Sequence, residues 1–173
     1  MIRKITRRRF LKSAVVSGVA LGSGLGGFRV TYGQAKKTTD PIKIGGQGAT
    51  SGAHADYGWQ MMAGGTLAVE GINAKGGILK RKVELKFMDE ELKPATAVKN
   101  ARYLVTDWGA DFLYGIDSSG SAMAVGPILP ELDRLCFFTH AATHRLTEEL
   151  AAGKGIKQIF RTVAPVYQDA LAA

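Results

Sequence analysis

Short strand-like runs alternating with longer helical stretches constrain this chain more than any other feature. Residues 41–45 open as a short apolar strand, and 83–87 alternate apolar and polar side chains as a half-buried strand does. The segment 110–114 reads as a buried-type strand, 135–138 as another, and 158–162 as a fifth. Between the first two, a helix fits 57–74, with Met61, Leu67, Ala68 and Ile72 on one face and Gly76-Gly77 as its stop. Pro94 opens a second helix whose inner stripe is Ala97, Ala101, Leu104 and Val105, running to Trp108. The polar turn Ser118-Ser119-Gly120-Ser121 offers an N-cap to a third, which carries Ala122, Val125, Ile128, Leu129 and Leu132 and is kinked by Pro127 and Pro130. Pro165 opens a last helix.

This succession predicts an α/β fold: a doubly wound, mostly parallel sheet with helices on both faces. In such sheets a ligand sits beyond the carboxyl ends of the strands, where strand order reverses. That points to the loops 49–57, 116–121 and 139–143. The glycine-rich 46–52 reads as a turning loop, and 139–147 as a polar one. At 118–121, hydroxyls and free backbone N–H groups at a helix start favour a carboxylate guest.

The amino terminus reads as an address rather than as part of the fold. Thr6-Arg7-Arg8-Arg9-Phe10-Leu11-Lys12 precedes an uncharged, glycine-rich run to Phe28, the form of a twin-arginine export signal. A spanning helix needs roughly 20 strongly apolar residues, whereas this run is interrupted by Ser17, Gly18, Gly22, Ser23, Gly24, Gly26 and Gly27. Gly33-Gln34-Ala35 suits a signal peptidase, so residues 1–35 are expected to be the signal peptide and 36–173 the exported, periplasmic domain, with an uncleaved anchor as the alternative.

Charge follows the same division. Of the 23 Lys and Arg residues, seven fall in 1–35 and no acid does, which leaves 16 basic against 15 acidic residues downstream. The basic excess belongs to the leader, and the rest offers no footprint for nucleic acid. A single cysteine, Cys136, excludes an internal disulfide, and no Cys/His spacing suits zinc, haem or an iron–sulfur cluster, so no cofactor is expected. About 140 residues suffice for one domain with a real core.

Several motifs have a plain structural reading beside the functional one. Gly46, Gly48 and Gly52 do not keep dinucleotide spacing and read as a flexible, cleft-lining loop. His140 and His144 lack a third metal ligand, and His140 reads as a cleft-edge residue. Asp89-Glu90-Glu91 reads as a solvated turn rather than paired catalytic carboxylates. Ser119, His140 and Asp117 have no motif that would make them a nucleophile with its base, and Cys136 in an apolar strand reads as core. Of Tyr57, Trp59 and Trp108, only Tyr57 sits in a loop at a strand end.

Seven blocks in order carry a resemblance. They are Ile44-Gly45 with Thr50-Ser51-Gly52 and Tyr57-Gly58; Ala68-Val69-Glu70-Gly71-Ile72-Asn73-Ala74-Lys75-Gly76-Gly77-Ile78; Asp89 with Pro94-Ala95-Thr96-Ala97-Val98; Tyr114-Gly115; Ser118-Ser119-Gly120; Ala141-Ala142-Thr143; and Phe160-Arg161-Thr162. Together they resemble the branched-chain amino-acid (Leu/Ile/Val) binding family of periplasmic solute receptors. The resemblance implies a two-lobed, non-enzymatic receptor that closes on a small solute and delivers it to the membrane permease of an ABC importer; the leader implies prior export by the twin-arginine machinery. It implies ligand contacts at Ser119, at the Ala141 carbonyl and at Thr143, with Tyr57 lining the cleft and Ser118 and Ala142 in the same blocks. The chain is then expected to be the first lobe alone, ending before the hinge and second lobe.

His140 stands where the family commonly has proline, and Asp117 places a negative charge beside the proposed anion site, which implies a solute other than an ordinary aliphatic amino acid. A ligand sensor of the same fold and a truncated fragment without function of its own are the alternatives.

Overall fold

A computed structural model describes residues 39–165 of the 173. The expected export signal, its cleavage point and the helix opened by Pro165 lie outside the described residues. Five strands, β1 (Ile42–Gly48), β2 (Val83–Asp89), β3 (Phe112–Gly115), β4 (Leu135–Phe138) and β5 (Ile159–Arg161), form one sheet in the order β2-β1-β3-β4-β5. Every pairing is parallel, with Ile44 opposite both Leu85 and Phe112 and Gly115 opposite Phe138. The chain steps from β1 outward to β2 and then back across to β3, so strand order reverses at β1.

Helices follow the strands. A 3₁₀ turn (Gly52–His54) leads into α1 (Ala55–Ala74), and α2 spans Pro94–Thr106. Next, α3 (Ser119–Val125) passes through a 3₁₀ turn (Gly126–Ile128) into the short α4 (Leu129–Leu132), so the expected kink falls at Pro127 and Pro130, which cannot donate to the ladder. Ser118 caps α3 as its residue type predicts: its Oγ accepts from Ser121 N at 3.0 Å.

The core lies on the α2 side of the sheet. Ala97, Ala101 and Leu104 of α2, Ala122 and Val125 of α3, Leu129 of α4 and the strand residues Leu113, Cys136 and Phe138 are all buried in one cluster. Alanines four apart let α2 lie close to the strands, and each fully buried leucine contributes about 1.5–3 kcal/mol. Burial pushes the Cys136 thiol well above its ordinary range, as befits a core residue.

The structure corrects the sequence expectation in three places. β1 does not end at Gly45 but continues through Gly46 to Gly48, pairing with Phe87 and Asp89 of β2. Gly46 serves here for space rather than for turning: a Cβ on it would lie 2.5 Å from both the Phe87 and Tyr114 rings. α1 faces the sheet through Met61, Gly65, Val69 and Ile72, each partly buried, whereas Leu67 is 71% exposed. The expected stripe weighed side-chain size, and the helix instead uses a glycine at its closest point. A π-helix, Leu146–Gly153, was not expected; its inward residues Leu146 and Leu150 are too few to announce a period. Under α1, an apolar cavity of about 370 Å³ is lined by Ala68, Val69, Ile72, Leu85, Phe112 and Phe137 among others.

Candidate functional site

The loops that follow β1, β3 and β4 meet at the carboxyl edge of the sheet. Each is fixed by hydrogen bonds to its neighbours. Asp89, the last residue of β2, accepts from Thr50 N at 3.0 Å and from Glu91 N at 2.8 Å, which pins the β1 loop. Burial alone would raise the Asp89 carboxyl, but bonds from Ser51, Glu91 and Thr50 hold it below its ordinary value. Thr139 at the end of β4 donates its backbone N–H to Gly115 O at 3.1 Å and its hydroxyl to Met61 Sδ at 3.3 Å.

The β3 loop begins in strain. Ile116, 1% exposed, has φ 65°, a left-handed conformation that a β-branched residue rarely adopts and that costs about 1–3 kcal/mol. Its N–H donates to Gln47 O at 2.7 Å. The next residue, Asp117, is buried, and two imidazoles converge on its carboxylate. His140 Nδ1 bonds Oδ1, and His54 Nδ1 lies 3.7 Å from Oδ2. With a carboxylate as acceptor, the His140 proton sits on Nδ1 and Nε2 is directed away from Asp117. The Tyr57 ring stacks on His140 at 4.6 Å between centroids, and His54 meets Tyr57 edge-on at 5.7 Å. Tyr57 is 47% exposed, so the stack has an open side.

The other expected site residues take their places around this group. Ser118 is half-buried and committed to its cap, while Ser119 and Gly120 are exposed. Ala141 is buried; Ala142 and Thr143 are half-buried, and the Thr143 carbonyl accepts from Arg161 Nη2 of β5. The structure thus brings Tyr57 against the residue before Ala141, with Ser118-Ser119 on the adjacent strand end. The apolar cavity lies under α1 instead, along the sheet face.

The acidic run after β2 is not the solvated turn its composition suggests. Glu91 is exposed, but Glu90 is 0% exposed, and its Oε1 accepts from Asp117 N at 3.0 Å and Ser118 N at 3.3 Å. Burial pushes its carboxyl up to about 7, the Asp117 and Asp89 charges add to the rise, and the two backbone bonds oppose it. From sequence, Glu90 reads only as part of a solvated turn, and His54 is not singled out. The available signal for Glu90 was position: it directly follows a strand that borders the point of strand-order reversal, on the side of the ligand loops. Among the described residues, no group of three or more His, Cys, Asp or Glu side chains is placed to hold a metal ion.

Comparison with known proteins agrees with this architecture. A profile of the family described as "Periplasmic binding protein" matches residues 41–173. The Leu/Ile/Val-binding protein homolog 3 of Brucella melitensis is 35% identical over 135 residues, covering 78% of this chain and 35% of that protein. Among solved structures, the branched-chain amino acid transporter substrate binding protein LivJ of Streptococcus pneumoniae, in complex with isoleucine, is 29% identical with a TM-score of 0.66, over 72% of this chain and 34% of that one. A solute binding protein of an ABC transporter from Rhodopseudomonas palustris, in complex with p-hydroxybenzoic acid, is 27% identical with a TM-score of 0.66, over 77% and 34%. The chain spans about a third of the length of the relatives it matches. With that match over most of its length, and with the parallel five-stranded sheet it shares with these receptors, the chain belongs to the periplasmic binding protein family.

Proposed function

We propose that this chain forms the first lobe of an extracytoplasmic receptor that binds an amino acid or a related small carboxylate-bearing solute and presents it to the permease of an ABC importer. The observation that carries the reading is the convergence of Tyr57, Ser118-Ser119 and the Ala141-Ala142-Thr143 block on one edge of the sheet, beside the point where strand order reverses. Residues 1–35 would be the twin-arginine signal that carries the chain out of the cytoplasm, and 36–173 the lobe. No helix among the described residues is long and apolar enough to cross a membrane.

The solute's carboxylate would meet the exposed Ser119 and the half-buried Thr143, and its remainder would lie against the open side of the Tyr57–His140 stack. That stack favours a planar or aromatic remainder, the chemistry of the p-hydroxybenzoic acid held by one structural relative. In the two-lobed receptor, Ser119→Ala and Thr143→Ala should each weaken binding by about 1.5–3 kcal/mol, the range for a hydrogen bond to a charged group, because one lobe supplies only part of the contacts. Calorimetry with isoleucine and with 4-hydroxybenzoate reads this; affinity kept in both variants for whichever solute binds would move the carboxylate site elsewhere.

A further inference from the structure

Among the described residues, Glu90 is the one buried acid that the proposed binding chemistry leaves unused, and it sits under the loop that carries that chemistry. Its Oε1 accepts from two consecutive backbone N–H groups, Asp117 and Ser118. Those two residues directly follow Ile116, whose left-handed backbone is unfavourable without support from its surroundings. Downstream, Asp117 orients His140, and His140 stacks on Tyr57. One carboxyl at the end of β2 is therefore joined to side chains from the β3 loop, the β4 loop and the start of α1. We propose that Glu90 is a positioning residue of the solute site, clamping the Asp117–Ser118 backbone so that the Asp117 carboxylate sets the His140 ring against Tyr57. The proposal rests on the solute-receptor reading for the role of that ring pair.

The clamp holds a proton as well as a shape. Glu90 Oε2 is buried and has no hydrogen-bond partner among the described residues, so a proton there leaves Oε1 free to accept both N–H groups. Burial and the facing charges of Asp117 and Asp89 favour that protonated form up to about pH 7. The other titratable or charged groups nearby are His54 and His140, which face Asp117, and Glu91 and Lys93, which pair with each other on the exposed side; Gln47, Asn100 and Ser121 are the uncharged buried polar neighbours on the same side of the sheet. Loss of the proton places a second buried negative charge beside Asp117, and the Asp117–Ser118 amides should report it directly.

The test is a pH titration of the isotope-labelled 173-residue chain by nuclear magnetic resonance. The Asp117 and Ser118 amide shifts should move with a midpoint near 7 in the wild type. They should lose that step in Glu90→Gln, whose amide oxygen still accepts both N–H groups and whose amide nitrogen takes the place of the protonated Oε2. His140 should keep its Nδ1–H signature in Glu90→Gln and lose it in Glu90→Ala. A wild type whose Asp117 and Ser118 amides show no titration step that Glu90→Gln removes overturns the proposal, and so does a folded Glu90→Ala chain whose His140 ring and Asp117 amide are unchanged. If Glu90→Ala does not fold, the wild-type and Glu90→Gln titrations decide alone. Adding isoleucine or 4-hydroxybenzoate to the wild type reads the receptor function separately. Solute shifts confined to the apolar cavity under α1 remove that reading while the pH arm still decides the clamp, whereas solute shifts that persist unchanged in a folded Glu90→Ala chain remove the clamp alone.

Discussion

Glu90 has a thermodynamic consequence that can be measured without any ligand. Its ordinary value is 4.5 and its folded value about 7, so between those limits the folded chain keeps a proton that the unfolded chain has lost. Stability contributed by this group is therefore fully present below about pH 4.5 and falls as pH rises to about 7, by up to about 3 kcal/mol. Glu90→Gln cannot ionise, so its stability relative to the wild type should improve by about 2–3 kcal/mol between pH 5 and pH 8. Urea unfolding at the two pH values checks this, and an equal difference at both would mean that the carboxyl is not held protonated. Sequence reasoning placed this residue on the surface because three adjacent acids usually stay hydrated. It could not see that β2 borders β1 and that Glu90 therefore reaches over it to the β3 loop. Asp117 and His140 were each noticed from the sequence, but their pairing depends on β3 and β4 being neighbours, which is a tertiary fact.

At the scale of elements, periodicity served α2 and α3 well because each buries a continuous stripe against a full sheet face. It served α1 only in part, placing Met61 and Ile72 on the inner side and missing at Leu67. That helix buries only Gly58 fully and meets the sheet through Met61, Gly65, Val69 and Ile72, so Leu67, expected on the inner stripe, lies outside the contact. Two glycines of α1 should respond in opposite directions. A Cβ on Gly58 would lie 1.9 Å from Ala49 O, where the start of the helix crosses the end of β1, so Gly58→Ala should cost about 1–3 kcal/mol by forcing the two apart. Gly64 has nothing within 4 Å of that position, and Gly64→Ala should stabilise the chain by about 0.5–1 kcal/mol through helix propensity alone. Thermal melts of the two variants decide; a stabilised Gly58→Ala would mean that α1 does not pack so closely. The same close approach explains why a glycine-rich stretch read as a loop is a strand: Gly46 leaves room for the Phe87 and Tyr114 rings over β1.

On the scale of the whole molecule, the β-α alternation in the sequence carried the parallel sheet, and the order β2-β1-β3-β4-β5 supplied what alternation alone does not, the place where the order turns back. The proposed export route makes its own prediction. If residues 1–35 are a twin-arginine signal, replacing Arg7 and Arg8 together with Lys should stop export and leave the folded lobe unchanged, because the receptor reads paired guanidinium groups rather than charge. Normal periplasmic accumulation of that variant would refute the route without touching the binding site.

The central claim is that the loops after β1, β3 and β4 bind a small carboxylate-bearing solute. The most direct measurement maps isoleucine and 4-hydroxybenzoate onto the chain by amide and ring chemical shifts under saturating solute. The account predicts shifts at Ser119 and Thr143 and at the Tyr57 and His140 rings, with the residues under α1 unaffected. Shifts confined to Val69, Ile72 and Phe137 around the apolar cavity would contradict it.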